Sequence, residues 1–181
     1  NLLPLGTLRE PASEATRADI ILVSKTPKDI TPIEKQGIIE NLHLKAHQKG
    51  YFSSITYYKY KCIKNNIELE NEQDYSITLV SGIANPTPLV NHLKKQGRKA
   101  NLIQFIDHNN YTSKDIENIL LEHNKNKDIK KLILTTEKDA TKLRELLSDF
   151  KGEPVYYTPI DMIVNDKEIF KKQLLDYVTS N

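Results

Sequence analysis

The sequence predicts an α/β protein in which helices cover both faces of a parallel sheet. Two observations carry that expectation. Short, β-branched apolar runs alternate with helical stretches from residue 76 to residue 178. Three of the four helical stretches follow a start signal, either Thr or Asn at the cap or Pro in the first turn. Parallel strands joined by helical crossovers bury both faces of their sheet.

Taken in order, residues 1–18 read as a loop and short helix carrying Arg9 and Glu10, and 19–24 as a buried strand. Thr31-Pro32-Ile33-Glu34 is a capping box with Pro at the first helical position. The helix it opens is expected to bury Ile33, Ile38, Ile39 and Leu42 and to stop at Gly50. Residues 52–56 form the next strand. From 57 to 74, Tyr58, Tyr60 and Cys62 alternate with Lys59 and Lys61 before Asn65-Asn66, the pattern of a hairpin. A hairpin that interrupts such an alternation marks a boundary. The expected division is 1–56, a two-stranded linker at 57–74, and a small α/β domain at 75–181.

Four strand–helix units follow. A strand at 76–81 leads through Gly82-Ile83-Ala84-Asn85-Pro86 into a helix capped by Asn85 and stopped by Gly97. The second strand covers 99–106, and Thr112 with Asp115 caps a helix at 113–123. The third strand is 131–135, and Thr136-Glu137-Lys138-Asp139 caps a helix that buries Ala140, Leu143, Leu146 and Leu147. A strand at 155–158 and a helix at 168–178 complete the pattern.

Bulk properties narrow the function. The net charge is +2 with 28% charged residues of both signs, and only four of the 26 basic residues are Arg. That is a solvated surface, not a footprint for nucleic acid. Cys62 is the only cysteine, so no internal disulfide forms, and a reducing compartment is expected. No apolar run approaches the ~20 residues that span a bilayer, and few exposed aromatics are expected, so the chain reads as a soluble monomer. It opens at Asn1 with a run that has no preceding element to pack on, and so reads as a piece of a longer protein.

Of the five histidines, His108 is placed for chemistry. It follows Phe105-Ile106-Asp107 at the carboxyl end of a strand, the edge where open α/β sheets put their ligands. Asp107 is expected to shape the turn. His43 and His47 are four apart on a helix but lack a third ligand, and they read as solvated. Asn85 reads first as a cap and then as a cleft residue. Glu137 and Lys138 lie at the same sheet edge and could face a cleft.

Four motifs occur together: Leu-Pro-x-Gly-x-Leu-Arg-Glu-Pro at 3–11, Gly-Ile-Ala-Asn-Pro at 82–86, Phe-x-Asp-His at 105–108 and Thr-Thr-Glu-Lys-Asp-Ala at 135–140. With Ala-Asp-Ile-Ile-Leu-Val-Ser-Lys at 18–25, this set resembles the tetraacyldisaccharide 4'-kinases, the lipid A 4'-kinases of Gram-negative bacteria. The resemblance implies transfer of the γ-phosphate of ATP to the 4'-hydroxyl of a tetraacylated glucosamine disaccharide, at the cytoplasmic face of the inner membrane. It also implies a P-loop domain joined by a two-stranded linker to a smaller, Rossmann-like domain, with 1–56 as the tail of the former. No G-x-x-x-x-G-K-[ST] occurs in these 181 residues. The chain therefore resembles the carboxyl-terminal half of such a kinase and is expected to be inactive alone.

By that resemblance Glu10 helps hold Mg²⁺, for which its carboxylate is a hard oxygen ligand, and Arg9 contacts phosphate. Lys25 lies in a faint nucleotide-base loop. His108 pairs with an aspartate supplied upstream and takes the proton of the sugar hydroxyl. The rival reading is a non-catalytic Rossmann- or flavodoxin-like module that binds a nucleotide or a protein. It is weakened because no G-x-G-x-x-G turn follows any strand.

Overall fold

The structure is a computed structural model, and it describes residues 10–180. The chain divides into two compact units, residues 1–56 with 161–181, and residues 57–160.

The second unit holds a five-stranded sheet. Its strands, numbered with the whole chain, are β3 (Lys61–Cys62), β4 (Ser76–Ser81), β5 (Ala100–Gln104), β6 (Lys131–Thr136) and β7 (Val155–Thr158). Their order across the sheet is β3-β7-β6-β4-β5. The last four are mutually parallel, and β3 runs antiparallel to β7 at the edge. The helices are α2 (Thr87–Lys95), α3 (Ser113–Lys125) and α4 (Glu137–Leu143), the last continued by a 3-10 turn at Arg144–Phe150.

Strand side chains alternate between faces, and both faces here are covered. Ile77, Leu79, Leu132 and Leu134 pack with Leu89 and Leu93 of α2. Val80 and Ile133 point the other way, into Ile116, Ile119 and Leu120 of α3 and Ala140 and Leu143 of α4. The parallel sheet with helices on both faces is therefore present as the sequence predicts. The hairpin around Asn66 is also present, with Cys62 N–H bonded to Ile67 O and Leu69 N–H to Tyr60 O. It is not a free ribbon, because Tyr60 and Ile63 are buried on opposite faces of this sheet.

This topology creates a switch point. The loop leaving β4 turns to the α2 face, whereas the loops leaving its neighbours β5 and β6 turn to the face of α3 and α4. The carboxyl end of β4, at Ser81-Gly82, is therefore the switch-point edge where such sheets place the crevice that hosts their ligands.

The first unit holds β1 (Ile20–Val23), α1 (Pro32–Leu42), β2 (Lys49–Tyr57), β8 (Ile160–Val164) and α5 (Lys167–Ser180). The strand order is β1-β2-β8, with β1 and β2 parallel. Tyr51 of β2 anchors α5, donating its hydroxyl to Gln173 Oε1 at 2.6 Å and meeting Phe170 edge-on at 5.0 Å.

Three expectations fail here. Strand β8 and helix α5 group with the first unit, not with the small domain, because β8 pairs with β2 and α5 packs on Tyr51. Helix α1 ends at Leu42 because His43 turns left-handed (φ 49°), and Gly50 lies inside β2. Glycine is required there for another reason, since a Cβ would collide with Ile39 and Leu44. The expected apolar face of α1 is not buried: Ile33 is 84% exposed and Leu42 41%. The sheet of three strands covers only the Ile38–Ile39 side, which is half-buried. In the second unit the helix after β4 starts one residue late, at Thr87, and Leu146 and Leu147 are only partly buried.

His123 of α3 is fully buried, with Nδ1 2.8 Å from the Thr78 hydroxyl and Nε2 3.7 Å from Glu153. Burial pushes its pKa below the usual 6.5, and the charge of Lys131 adds to this while Glu153 opposes it. The unfolded chain then binds the proton more readily than the folded one. Its contribution to stability is complete above pH 6.5 and drains away as the pH falls below that value. Urea unfolding followed from pH 7.5 to 5 should show this loss, and His123→Gln should flatten that part of the profile.

Candidate functional site

Three loops meet at the crevice: residues 82–86 after β4, 105–112 after β5, and the β6–α4 junction at Thr136. Asp139, in the first turn of α4, is wholly buried. Its Oδ2 accepts the Gly82 N–H at 2.9 Å and the Thr136 hydroxyl at 2.7 Å, and its own N–H donates to Thr136 Oγ1 at 3.1 Å. Oδ1 and the Tyr111 hydroxyl are both buried without a hydrogen-bond partner among the described residues, and both lie close to Gly82. A Cβ on that glycine would stand 2.8 Å from the hydroxyl and 2.9 Å from Oδ1, so the close approach excludes any side chain. Burial drives the Tyr111 phenol well above its ordinary pKa, and the negative charge of Asp139 drives it further.

Above this buried knot sits a charged corner. Asp107 Oδ1 takes a hydrogen bond from Lys138 Nζ at 3.1 Å and another from the His108 backbone N–H at 3.0 Å. Its Oδ2 lies 3.7 Å from His108 Nε2. The hydrogen bond from Lys138 holds the Asp107 carboxyl below its usual pKa, helped by the charge of His108. His108 itself is left-handed (φ 60°), and its side chain is 76% exposed. That conformation costs a non-glycine residue about 1–2 kcal/mol, and such strain persists only where the surroundings impose it.

The structure thus brings His108, Asp107 and Lys138 together. Glu137 is exposed, and its Oε2 accepts the Ile160 N–H at 3.5 Å. Asn85 is exposed, and its Oδ1 caps the start of α2 through Thr87 N–H at 3.0 Å. Glu10 and Lys25 lie in the first unit. Glu10 is ion-paired with Arg17 at 3.3 Å, and Lys25 stands exposed in a left-handed turn after β1 (φ 59°). Arg9 lies outside the described residues. Among the described residues no three His, Cys, Asp or Glu side chains gather to hold a metal. Mg²⁺ commonly takes one or two carboxylates and completes its shell with phosphate and water, so a single exposed Glu10 fits that donor chemistry. No helix among the described residues is long and apolar enough to cross a membrane.

Sequence reasoning missed the buried knot. Asp139 reads as an ordinary capping residue, and Tyr111 as a loop residue ahead of a capping box. The available signal was Gly82, a glycine directly after a strand buried from Ile77 to Ser81, where a close backbone approach is to be expected.

Comparison with known proteins gives a consistent answer. The LpxK family model, described as tetraacyldisaccharide-1-P 4'-kinase, matches residues 1–179. The tetraacyldisaccharide 4'-kinase of Phocaeicola vulgatus is 35% identical over 99% of this chain and 51% of its own length. That of Parabacteroides distasonis is 38% identical over 81% of this chain and 41% of its own length. The chain therefore spans about half the length of the curated relatives it matches. A crystal structure of LpxK from Aquifex aeolicus in complex with ATP superposes with a TM-score of 0.60 at 21% identity, covering 97% of this chain and 47% of that one, which establishes the shared fold.

Because the Lys138 hydrogen bond lowers the Asp107 pKa, Lys138→Met should move the Asp107 carboxyl titration upward. Carbon-detected NMR of that carboxyl reads the change directly, and an unmoved titration would show that Lys138 is a bystander.

Proposed function

The chain belongs to the tetraacyldisaccharide-1-P 4'-kinase family, and from that premise we propose that it supplies the carboxyl-terminal half of a lipid A 4'-kinase. The reaction moves the γ-phosphoryl group of ATP to the 4'-hydroxyl of a tetraacylated glucosamine disaccharide. The bond from the sugar oxygen to phosphorus forms as the bond from phosphorus to the β–γ bridging oxygen breaks. ADP leaves, and the hydroxyl proton passes to a base. Catalysis of this kind is mostly positioning and charge neutralisation.

The observation that carries the reading is the match of the family across residues 1–179 together with an exposed His108 held at the carboxyl edge of the sheet. His108 is the group that receives the hydroxyl proton, its imidazole paired with an acidic partner. Asp107 and Lys138 fix the corner from which the ring projects. Glu10 is the residue for Mg²⁺, which when bound would neutralise the phosphates, and Arg9 is the residue for phosphate. Lys25 borders the nucleotide. The acyl chains place the reaction at the cytoplasmic face of the inner membrane. The P-loop belongs to sequence that these 181 residues do not contain, so this stretch by itself has no turnover.

The test is phosphate transfer from ATP to the tetraacyl disaccharide, assayed on the product of the gene that encodes this chain. His108→Ala should lower kcat by ~10²–10⁴-fold, the usual worth of a positioned base, with the KM for ATP little changed. Undiminished turnover in that variant would remove His108 from the mechanism.

A further inference from the structure

Helix α4 grips the loop that carries His108 by two hydrogen bonds and buries a carboxyl group beside it. Lys138 Nζ binds Asp107 Oδ1 at 3.1 Å and Lys142 Nζ donates to Asn109 O at 2.6 Å, while Asp139 Oδ1 and the Tyr111 hydroxyl both crowd the Cβ position of Gly82 without a hydrogen bond of their own among the described residues. Two positions of one short helix thus hold residues 107 and 109, on both sides of His108, and a third, Asp139, shares the space over Gly82 with Tyr111. Phe105 closes the base of the loop, edge-on to Tyr111 at 5.1 Å, and its N–H is bonded to Ser81 O at 2.8 Å.

These interactions differ in kind. Whereas the Lys142 bond to Asn109 O is half-buried, the Lys138–Asp107 contact reaches outward, its side chains 43% and 39% exposed. Contacts of that sort fix little by themselves, since side-chain entropy and solvent compete with them. Asp139 is fully buried and ties α4 to the sheet through Gly82 N–H and to its own start through Thr136. Without an acceptor there, the Gly82 N–H would be left buried and unpaired, which the fold resists. Asp139 therefore sets where α4 begins, and the start of α4 sets where Lys138 stands.

Resting on the kinase reading above, we propose that Asp139 is a positioning residue for His108. It acts at a distance, by locking α4 as a clamp on the loop at 107–111. It touches neither substrate nor the reacting atoms. Tyr111 and Gly82 belong to the same lock, the first by its buried hydroxyl and the second by having no side chain. The left-handed backbone at His108 is the strain this clamp holds in place.

The experiment is a double-mutant cycle in the product of the gene that encodes this chain. Asp139→Ala should lower kcat by up to ~10²-fold, the cost of misplacing a reacting group by about an ångström, with little change in the KM for ATP. In a His108→Ala background the same substitution should cost nothing further. Asp139→Asn keeps an acceptor for Gly82 and Thr136 and should restore most of the activity. Equal losses in both backgrounds overturn the proposal, as does a kcat that Asp139→Ala leaves unchanged. If Asp139→Ala does not fold, Gly82→Ala replaces it in the cycle, wedging the same knot apart, and is read by the same two criteria. A wild-type protein that transfers no phosphate refutes the kinase reading instead. The clamp is then read by NMR, from the proximity of the Lys138 side chain to Asp107 and His108. Loss of that proximity in Asp139→Ala sustains the clamp, and its persistence ends it.

Discussion

A single buried carboxyl group ties two of the three loops together at the carboxyl edge of the five-stranded sheet and lies beside the third. Asp139 is there because the fold needs an acceptor at that depth. The parallel ladder ends at Ser81, and the next N–H, on Gly82, points into protein rather than toward a neighbouring strand. A buried donor left unpaired costs about 1–3 kcal/mol. Asp139 removes that cost and takes a second hydrogen bond from Thr136, which caps the same helix. Gly82 follows from the same demand, because the carboxyl group and the Tyr111 hydroxyl occupy the space a Cβ would take. Four residues from three segments are thus fixed by one requirement.

The two units rest on different amounts of burial. Residues 57–160 contain two closed cores, one on each face, and the side chains of Leu79, Leu93, Ile119, Leu132 and Leu143 have no exposed surface at all. The described part of the first unit buries Tyr51 and Phe52 of β2, yet no residue of α1 is buried. Apolar burial contributes roughly 25 cal/mol per Å², so resistance to unfolding is concentrated in the second unit. The crevice is built on that firmer base. Loops that carry chemistry work best on a rigid scaffold.

Much of the second unit was legible because local and global demands coincide there. The strand at Ser76–Ser81 was legible to the residue, and the capping box at Thr112 and Asp115 forms as its spacing foretells. Capping is decided within four residues, so it survives any tertiary context. What escaped was decided at long range. Strand β8 reads as loop beside the strong signal of Val155–Thr158, and only its pairing with β2, a hundred residues earlier, makes it a strand. Gly50 carries the signal of a helix stop, whereas its use is to let β2 pass under Ile39. The site divides in the same way. His108, Asp107 and Lys138 stand out as polar residues at a strand end, and the strand ends converge in any parallel sheet. Asp139 hides because its local role as a cap fully accounts for its presence.

That double duty bears on how a proton acceptor is presented. On the proposed reading, His108 must meet a substrate that is bulky and membrane-borne, so its ring has to project into solvent, and it does. An exposed imidazole on a free loop would spend most of its time in unproductive orientations, and the entropy of ordering it would fall on every turnover. Burying the ring would order it but put it out of reach. The structure separates the two demands, leaving the side chain in water and burying the means of holding its backbone. The left-handed turn aims the residue outward, Asp107 and Lys138 brace the turn at the surface, and the knot beneath Gly82 keeps the brace in register. Order is imposed from below, where the dielectric is low and a hydrogen bond counts for most, on a residue whose work is done above.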